Sequence, residues 1–131
     1  CIRKLNSRKV YFYNPIPHLG AIIYKEDLKE VDFYSYSRQS QFDWDLWLKL
    51  ISKKKDFYFI DKTSGIKRVH QNQFFEHKNH FIYTLRGVRL QLMHSAKFAK
   101  LLFIPVSIVC LLRILWSVIP RNVRIQLLFK N

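Results

Sequence analysis

The side chains best suited to chemistry fall in three short stretches of the chain. Residues 14–18 read NPIPH, residues 42–50 read FDWDLWLKL, and residues 67–72 read KRVHQN. Together they supply carboxylate, imidazole and guanidinium groups, which proton transfer, metal binding and phosphate binding require. What these groups can do depends on the elements that hold them in place.

Composition and spacing exclude several common kinds of site. Only Cys1 and Cys110 are present, so the chain has neither a disulfide framework nor a zinc site built on cysteines. The glycine-rich phosphate loops GxGxxG and GxxxxGK(S/T) do not occur. His77, His80 and His94 lack the spacing of a zinc-binding helix. Nucleotide chemistry would therefore need residues outside this chain.

The clearest predicted helix is the one that carries Asp43. Trp44, Trp47 and Leu48 follow one another at the spacing of a single helix face. We predict a helix over residues 43–52 with Trp47 and Leu48 buried. Asp43 stands where an N-cap carboxylate would bond unpaired backbone amides, so a purely structural role for it stays open.

The remaining pattern alternates between strands and helices. Aromatic and β-branched runs predict strands, and Pro15 and Pro17 favour a rigid loop between the first two. The predicted strands are residues 9–13, 20–24, 57–60 and 65–69, and the predicted helical segments besides the Asp43 helix are residues 25–31, 74–100 and 101–130. This order indicates an α/β fold in which residues 22–23 and 57–60 belong to a sheet.

Charge is unevenly distributed along the chain. The 131 residues carry a net charge of +14 and are 49% apolar, which favours a folded domain with anionic partners. Residues 1–65 have a net charge of +4, whereas residues 66–131 have +10, with Glu76 as their single acid. The chain begins with Cys1 rather than Met, and its first residues do not show the charged leader and apolar run of a signal peptide, so we expect the later part of a longer cytoplasmic protein.

The tail is both apolar and basic. Residues 101–119 approach the length that spans a bilayer, but Arg113 lies inside this stretch and Pro105 near its start. Cations flank it at Lys97, Lys100, Arg121, Arg124 and Lys130. These features predict a helix that lies on or dips into an anionic leaflet, with Trp116 at headgroup level. The alternative is a pair of buried helices.

In their order and spacing, the three stretches resemble the C-terminal half of the catalytic domain of family 2 glycosyltransferases. These inverting enzymes have the GT-A fold and carry the motifs NPxxH, ED(W/Y)DLWL(R/K)L and RxHxxS. The resemblance covers residues 10–75. It implies an α/β fold, with residues 1–75 as the acceptor-side part of a Rossmann-like GT-A domain that lacks its nucleotide-binding half. Residues 76–131 would form the basic, apolar, helical and membrane-associated tail.

The resemblance also assigns roles on the acceptor side. It places the general base on Asp43, which would take a proton from the acceptor hydroxyl, with Asp45 as the next candidate. Trp44 and His18 would bind the acceptor, although a Trp at helical spacing is commonly core and a His after a turn is commonly structural. The family has Glu where this chain has Phe42, so one acidic partner is missing.

On the donor side, Arg68 matches a position that can neutralise the donor diphosphate, and His70 one that can bind a divalent cation, Mn²⁺ or Mg²⁺. The alternative is an ordinary basic surface loop. Most of the metal site would come from the missing half, so we expect the fragment alone to be inactive.

The resemblance implies transfer of a sugar, with inversion, from a nucleotide-sugar donor to a glycan or lipid-linked acceptor in surface polysaccharide synthesis. The setting would be the inner face of the cell membrane, with an anionic membrane surface as a partner and without nucleic acid. The alternative is a non-catalytic basic protein that binds a membrane or nucleic acid, although no nucleic-acid-binding motif is present.

Overall fold

A computed structural model describes residues 1–38, 40–62, 80–119 and Val123. Its strands and α-helices, in chain order, are β1 (Ile2–Lys4), α1 (Lys25–Glu30), α2 (Phe42–Ser52), β2 (Tyr58–Ile60), α3 (His80–Phe98) and α4 (Phe103–Val118). Two 3-10 helices, Ser7–Tyr11 and Lys100–Leu102, lie after β1 and before α4. The described part of the chain is therefore mainly helical.

The sheet is small and antiparallel. Strands β1 and β2 pair with Ile2 opposite Ile60 and Lys4 opposite Tyr58, and they are the only strands in the described ranges. The predicted α/β fold, a C-terminal part of a GT-A Rossmann-like domain, is therefore wrong for this structure. A Rossmann-like layer needs several parallel strands with helices on both faces, and this two-stranded ribbon offers neither.

Two of the predicted strands take other conformations for local reasons. Most of residues 9–13 belongs to a 3-10 helix, because the Asn6 side chain accepts a hydrogen bond from the Arg8 amide at 3.1 Å and starts a turn. Residues 21–24 form no regular element, and Ile22 is 93% exposed. Apolar character alone made these segments look like strands. The predicted strand 65–69 lies outside the described residues.

The prediction for α2 is confirmed. The helix runs from Phe42 to Ser52, and Trp47 and Leu48 are fully buried in the core. The predicted short helix after residue 24 is also confirmed as α1. The described chain thus packs its core around α2.

Helices α3 and α4 form an antiparallel hairpin joined by the second 3-10 helix, and the two pack mainly against each other. Pro105 lies in the first turn of α4, where its missing amide is tolerated, so it begins the helix and does not interrupt it. A buried glutamine, Gln91, connects this hairpin to the N-terminal part. Its Nε2 donates to the carbonyl oxygens of Tyr11 at 2.8 Å and Phe12 at 2.7 Å.

The outer face of α4 is apolar and exposed. Val106, Cys110 and Ser117 face the fold and are buried, whereas residues on the opposite side are open to solvent. The exposed set is Ile104, Ile108, Leu111, Leu112, Leu115 and Val118. The stretch Lys100–Val118 is 19 residues long and contains an 18-residue window with a mean hydropathy of 2.3, which is long and apolar enough to cross a bilayer, and 11% of that window is buried in the fold.

Candidate functional site

A pocket of about 420 Å³ lies where the start of α2 meets α3 and α4. Its lining residues are Asn14, Gln41, Phe42, Asp43, Trp44, Tyr83, Thr84, Gly87, Arg113 and Trp116. Aromatic rings, one carboxylate and one guanidinium thus share a single open concavity. Rings flanked by a few polar groups suit the apolar faces and hydroxyl groups of a sugar.

Asp43 is the acidic group of this pocket. It is the second residue of α2, and Gln41 holds the cap position, so the expectation of an N-cap at Asp43 is wrong. Asn14 donates a hydrogen bond from Nδ2 to Asp43 Oδ2 at 3.0 Å, and the side chain of Asp43 is half-buried. Asn14 is in turn fixed by the Ile16 amide, which donates to its Oδ1 at 3.2 Å. The structure therefore holds the carboxylate in place at an open pocket.

Asp45, two positions further along α2, is placed differently. It is only 2% exposed and is surrounded by cations and donors. Arg38 lies at 3.0 Å from Oδ1, His94 Nε2 also at 3.0 Å from Oδ1, and Ser35 Oγ donates to Oδ2 at 2.5 Å. Burial alone would raise the pKa of Asp45, but the hydrogen bonds from His94 and Ser35 and the charge of Arg38 outweigh it and hold the pKa far below its usual range.

His18 lies in a cluster of rings beside the first residue of α2. Its Nε2 is 2.8 Å from the hydroxyl of Tyr34, and its ring meets those of Tyr34 and Phe42 edge-on at 5.9 and 5.8 Å. Partial burial and, second, the charge of Asp43 raise the pKa of Tyr34. His18 and Phe42 are both exposed. At position 42, where the family motif has a glutamate, this chain therefore presents part of an aromatic surface.

Trp44 belongs both to the core and to the pocket wall. It is buried, and its Nε1 donates to the carbonyl oxygen of Val10 at 2.7 Å. The guanidinium of Arg113 lies 5.9 Å from the centre of its ring, a cation–π contact. The ring is thus held rigidly with one part facing the cavity.

The sequence analysis did not identify Arg113 as a pocket residue, because it treated this residue only as a charge that opposes membrane insertion. Its Nη1 donates to Gln91 Oε1 at 2.9 Å, and it lines the pocket across from α2. A charged residue inside an apolar helix usually faces the protein interior and marks a functional position. That general rule was the signal available in the sequence.

Gln41 forms the floor between α2 and α3. It has a left-handed backbone with φ of 58°, which is uncommon for a residue other than glycine. Its Nε2 donates to the Tyr83 carbonyl oxygen at 3.1 Å, and its buried Oε1 has no partner in the described part of the chain. A Cβ at Gly87 would lie 2.9 Å from Gln41 Nε2, so a larger residue there would push the end of the Gln41 side chain away.

The residues expected to bind the donor diphosphate and its cation are not among the lining residues of this pocket. Arg68 and His70 are outside the described residues. Within residues 1–38, 40–62 and 80–119, no three His, Cys, Asp or Glu side chains come together to hold a metal ion. The divalent cation and the donor contacts stay predictions.

The comparisons with known proteins give no assignment. No protein-family model, no curated protein and no solved structure matches the chain.

Proposed function

We propose that this chain supplies the acceptor side of a glycosyltransferase, with Asp43 as the general base. The donor would be a nucleotide sugar and the acceptor a glycan or a lipid-linked sugar. The proposal rests on the sequence motifs around residues 14–18 and 42–50 and on one structural observation. That observation is the Asp43 carboxylate, fixed by Asn14 in a pocket walled by Trp44, Trp116 and Arg113.

The lining suits a sugar acceptor. Indole rings pack against the apolar faces of pyranose rings, while carboxylate and guanidinium groups bond their hydroxyl groups. Trp44 is pinned by its bond to Val10, so its contribution needs little ordering when an acceptor binds. His18 and Tyr34 lie next to Phe42 and offer polar groups at the edge of the same surface.

The proposed step is an inverting displacement. The Asp43 carboxylate takes the proton of an acceptor hydroxyl as that oxygen attacks the anomeric carbon of the donor. The new C–O bond forms as the bond to the nucleoside diphosphate breaks, and the diphosphate leaves with the bonding electron pair. The base must be positioned before the acceptor arrives, which is the role of the Asn14 bond.

The test is the Asp43→Asn variant of the natural protein, assayed for sugar transfer and for donor binding. The amide keeps the shape of the side chain but cannot take the proton, so transfer should fall about 10²- to 10⁴-fold while donor affinity is retained. Asp32→Asn, which removes an acid from a loop away from the pocket, is the matched control. Near-normal turnover of Asp43→Asn would overturn the assignment of the base.

The same proposal places the protein at the cytoplasmic face of an anionic membrane. The exposed apolar face of α4 and the cations Lys97 and Lys100 at the preceding turn support it. Arg113 and Trp116 belong to the same helix and line the pocket, so a lipid-linked acceptor could reach Asp43 from the membrane side. A non-catalytic membrane-binding role is the second candidate, favoured by the same apolar face.

Vesicle sedimentation tests the membrane contact. Binding should require anionic lipid, weaken with salt, and drop when Lys97 and Lys100 become Gln or when Ile104 and Ile108 become Ser. The double change of Arg8 and Lys9 to Gln removes the same charge from an exposed site in the N-terminal part and is the control. Failure to bind at any salt concentration would indicate that the α4 face packs against protein.

A further inference from the structure

Arg113 brings a positive charge to the pocket of Asp43 that no acidic side chain neutralises. It is partly buried in the pocket wall, and it forms no ion pair with any acid of residues 1–38, 40–62 or 80–119. Its hydrogen-bond partner is the neutral amide of Gln91, which accepts from Nη1 at 2.9 Å. A guanidinium has further N–H donors beside this one. Sugar hydroxyl groups do not require a full charge at this position, whereas an anion does.

Neutral groups hold this guanidinium in place. Gln91 is fully buried, and its Nε2 donates to two carbonyl oxygens of the N-terminal part, which leaves its Oε1 for α4. That oxygen accepts from Arg113 and, at 3.6 Å, from the Cys110 thiol. The Trp44 ring lies on the pocket side, with its centre 5.9 Å from the guanidinium carbon. A charge fixed in this way is screened by less water than one on the surface, so its attraction for an anion is stronger.

The pocket borders the exposed apolar face of α4. Successive helix residues lie about 100° apart around the axis, so Trp116 is about 60° from Arg113 and Leu112 about 40° further in the same direction. Trp116 lines the pocket and is 38% exposed, while Leu112 is 59% exposed and belongs to the apolar face. A ligand bound at Arg113 can therefore extend an apolar chain over Trp116 onto that face.

We propose that the acceptor is a sugar joined through phosphate to a lipid chain, and that Arg113 binds this phosphate. The inference rests on the proposed glycosyl transfer and names the class of its acceptor. In such a molecule the phosphate lies between the chain and the sugar. Arg113 lies likewise between the apolar face of α4 and the wall of α2 that carries Asp43. Phosphate oxygens accept short, charge-assisted hydrogen bonds from a guanidinium group.

The first experiment measures binding of octyl phosphate and of octanol to the 131-residue protein by tryptophan fluorescence. Each variant is compared by its preference for the phosphate over the alcohol, because a change in folding alters both affinities together. Arg113→Gln should reduce this preference about tenfold, since it removes a charge-assisted contact. Arg89→Gln removes the same charge from an exposed position on α3 and should change the preference less than about twofold.

Three results of this experiment would overturn the proposal. The parent protein could bind octyl phosphate no better than octanol, which would leave only an apolar contact. The preference could survive in Arg113→Gln, which would place the phosphate elsewhere. An equal loss in Arg113→Gln and Arg89→Gln would indicate general attraction to a basic protein.

Methyl phosphate tests the role of the lipid chain. It lacks the chain, so it should bind at least about tenfold more weakly than octyl phosphate. Leu112→Ser should narrow this difference, because it removes part of the surface on which the chain lies. Leu101→Ser, which changes an exposed leucine just before α4, is the control and should leave the difference unchanged. Equal affinities of the parent for the two phosphates would overturn the lipid assignment.

Glucuronate tests the kind of anion. Its carboxylate has neither a phosphate nor a lipid chain, and it should bind more weakly than octyl phosphate. Tighter, Arg113-dependent binding of glucuronate would assign the pocket to a free acidic sugar and overturn the proposal.

The Asp43→Asn assay separates this inference from the proposed function. If Asp43→Asn abolishes transfer while octyl phosphate binding does not depend on Arg113, the general base stands and the lipid-phosphate acceptor is wrong. If octyl phosphate binding depends on Arg113 while Asp43→Asn retains turnover, the phosphate site stands and the proposed transfer step is wrong.

Discussion

The two acids at the start of α2 lie two residues apart and have opposite surroundings. Asp43 lies at an open pocket and has one neutral hydrogen-bond donor, the Asn14 amide. Asp45 is buried and contacts Arg38, Lys49 and His94. Two positions on an α-helix are about 200° apart around its axis, so neighbouring acids in a DWD sequence face different parts of the protein.

This difference indicates which carboxylate can perform proton transfer. A base must meet its substrate and change its protonation during the reaction. Asp45 is out of reach of any ligand in the pocket, and its ion pairs strongly favour the ionised form. Its role is to hold the loop before α2 and helix α3 against one another. The Asp43 carboxylate can be reached by a ligand in the pocket, whereas that of Asp45 cannot.

The largest expected effect is on stability. Asp45→Asn leaves buried or half-buried cations without their counter-charge and should lower the free energy of unfolding by roughly 3 kcal/mol, at the low end for buried pairs because Arg38 and Lys49 reach solvent. Asp43→Asn should change it by less than about 1 kcal/mol. Urea denaturation of the full chain measures both. Similar losses for the two variants would contradict the contrast between the acids.

The second-largest expected effect is on how the free energy of unfolding depends on pH in the acid range. The pKa of Asp45 is lower in the folded than in the unfolded protein, so its contribution is complete above the unfolded value of about 4 and is lost as the pH falls below it toward the folded value. Asp45→Asn should therefore flatten the loss of stability below about pH 4. The measurement is the urea midpoint as a function of pH.

A smaller effect is expected from Asn14→Ala. The change removes the donor that fixes Asp43 and should reduce transfer about tenfold while lowering stability by about 1 kcal/mol. Asn6→Ala is the control, because Asn6 also bonds a turn amide but lies far from the pocket. A comparable loss of activity in both variants would show that the effect is one of turn stability alone.

The smallest expected effect is that of Gly87→Ala. Alanine favours a helix interior by up to about 1 kcal/mol, but its Cβ would press on Gln41 Nε2 and weaken the bond to Tyr83. The two effects should nearly cancel in stability, within about 0.5 kcal/mol. Acceptor binding, followed by the fluorescence of Trp44 and Trp116, should still weaken because Gln41 lines the pocket. Unchanged binding would mean that Gln41 moves freely.

The sequence predicted what depends on local periodicity and missed what depends on distant partners. Trp47 and Leu48 repeat at helical spacing, so α2 and its buried face could be found. The α/β expectation failed because short apolar runs such as residues 9–13 and 22–23 fit a strand or a turn equally well, and an asparagine cap decided the first case. The partnership of Arg113 with Gln91 joins two helices and leaves no trace in spacing.

The contacts of Gln91 have a consequence for the order of folding. The carbonyls of Tyr11 and Phe12 meet a side chain that lies 80 and 79 residues later, so this junction cannot close until residue 91 has been synthesised. Closing a flexible loop of that length costs about 4 kcal/mol in chain entropy beyond a constant, and such long-range contacts slow folding. Until then, the Trp44 wall of the pocket has no α3 or α4 opposite it. The N-terminal part therefore lacks the packing of α3 and α4 until late in folding. Variants of Gln91 should slow refolding more than they change the helical content of the folded protein.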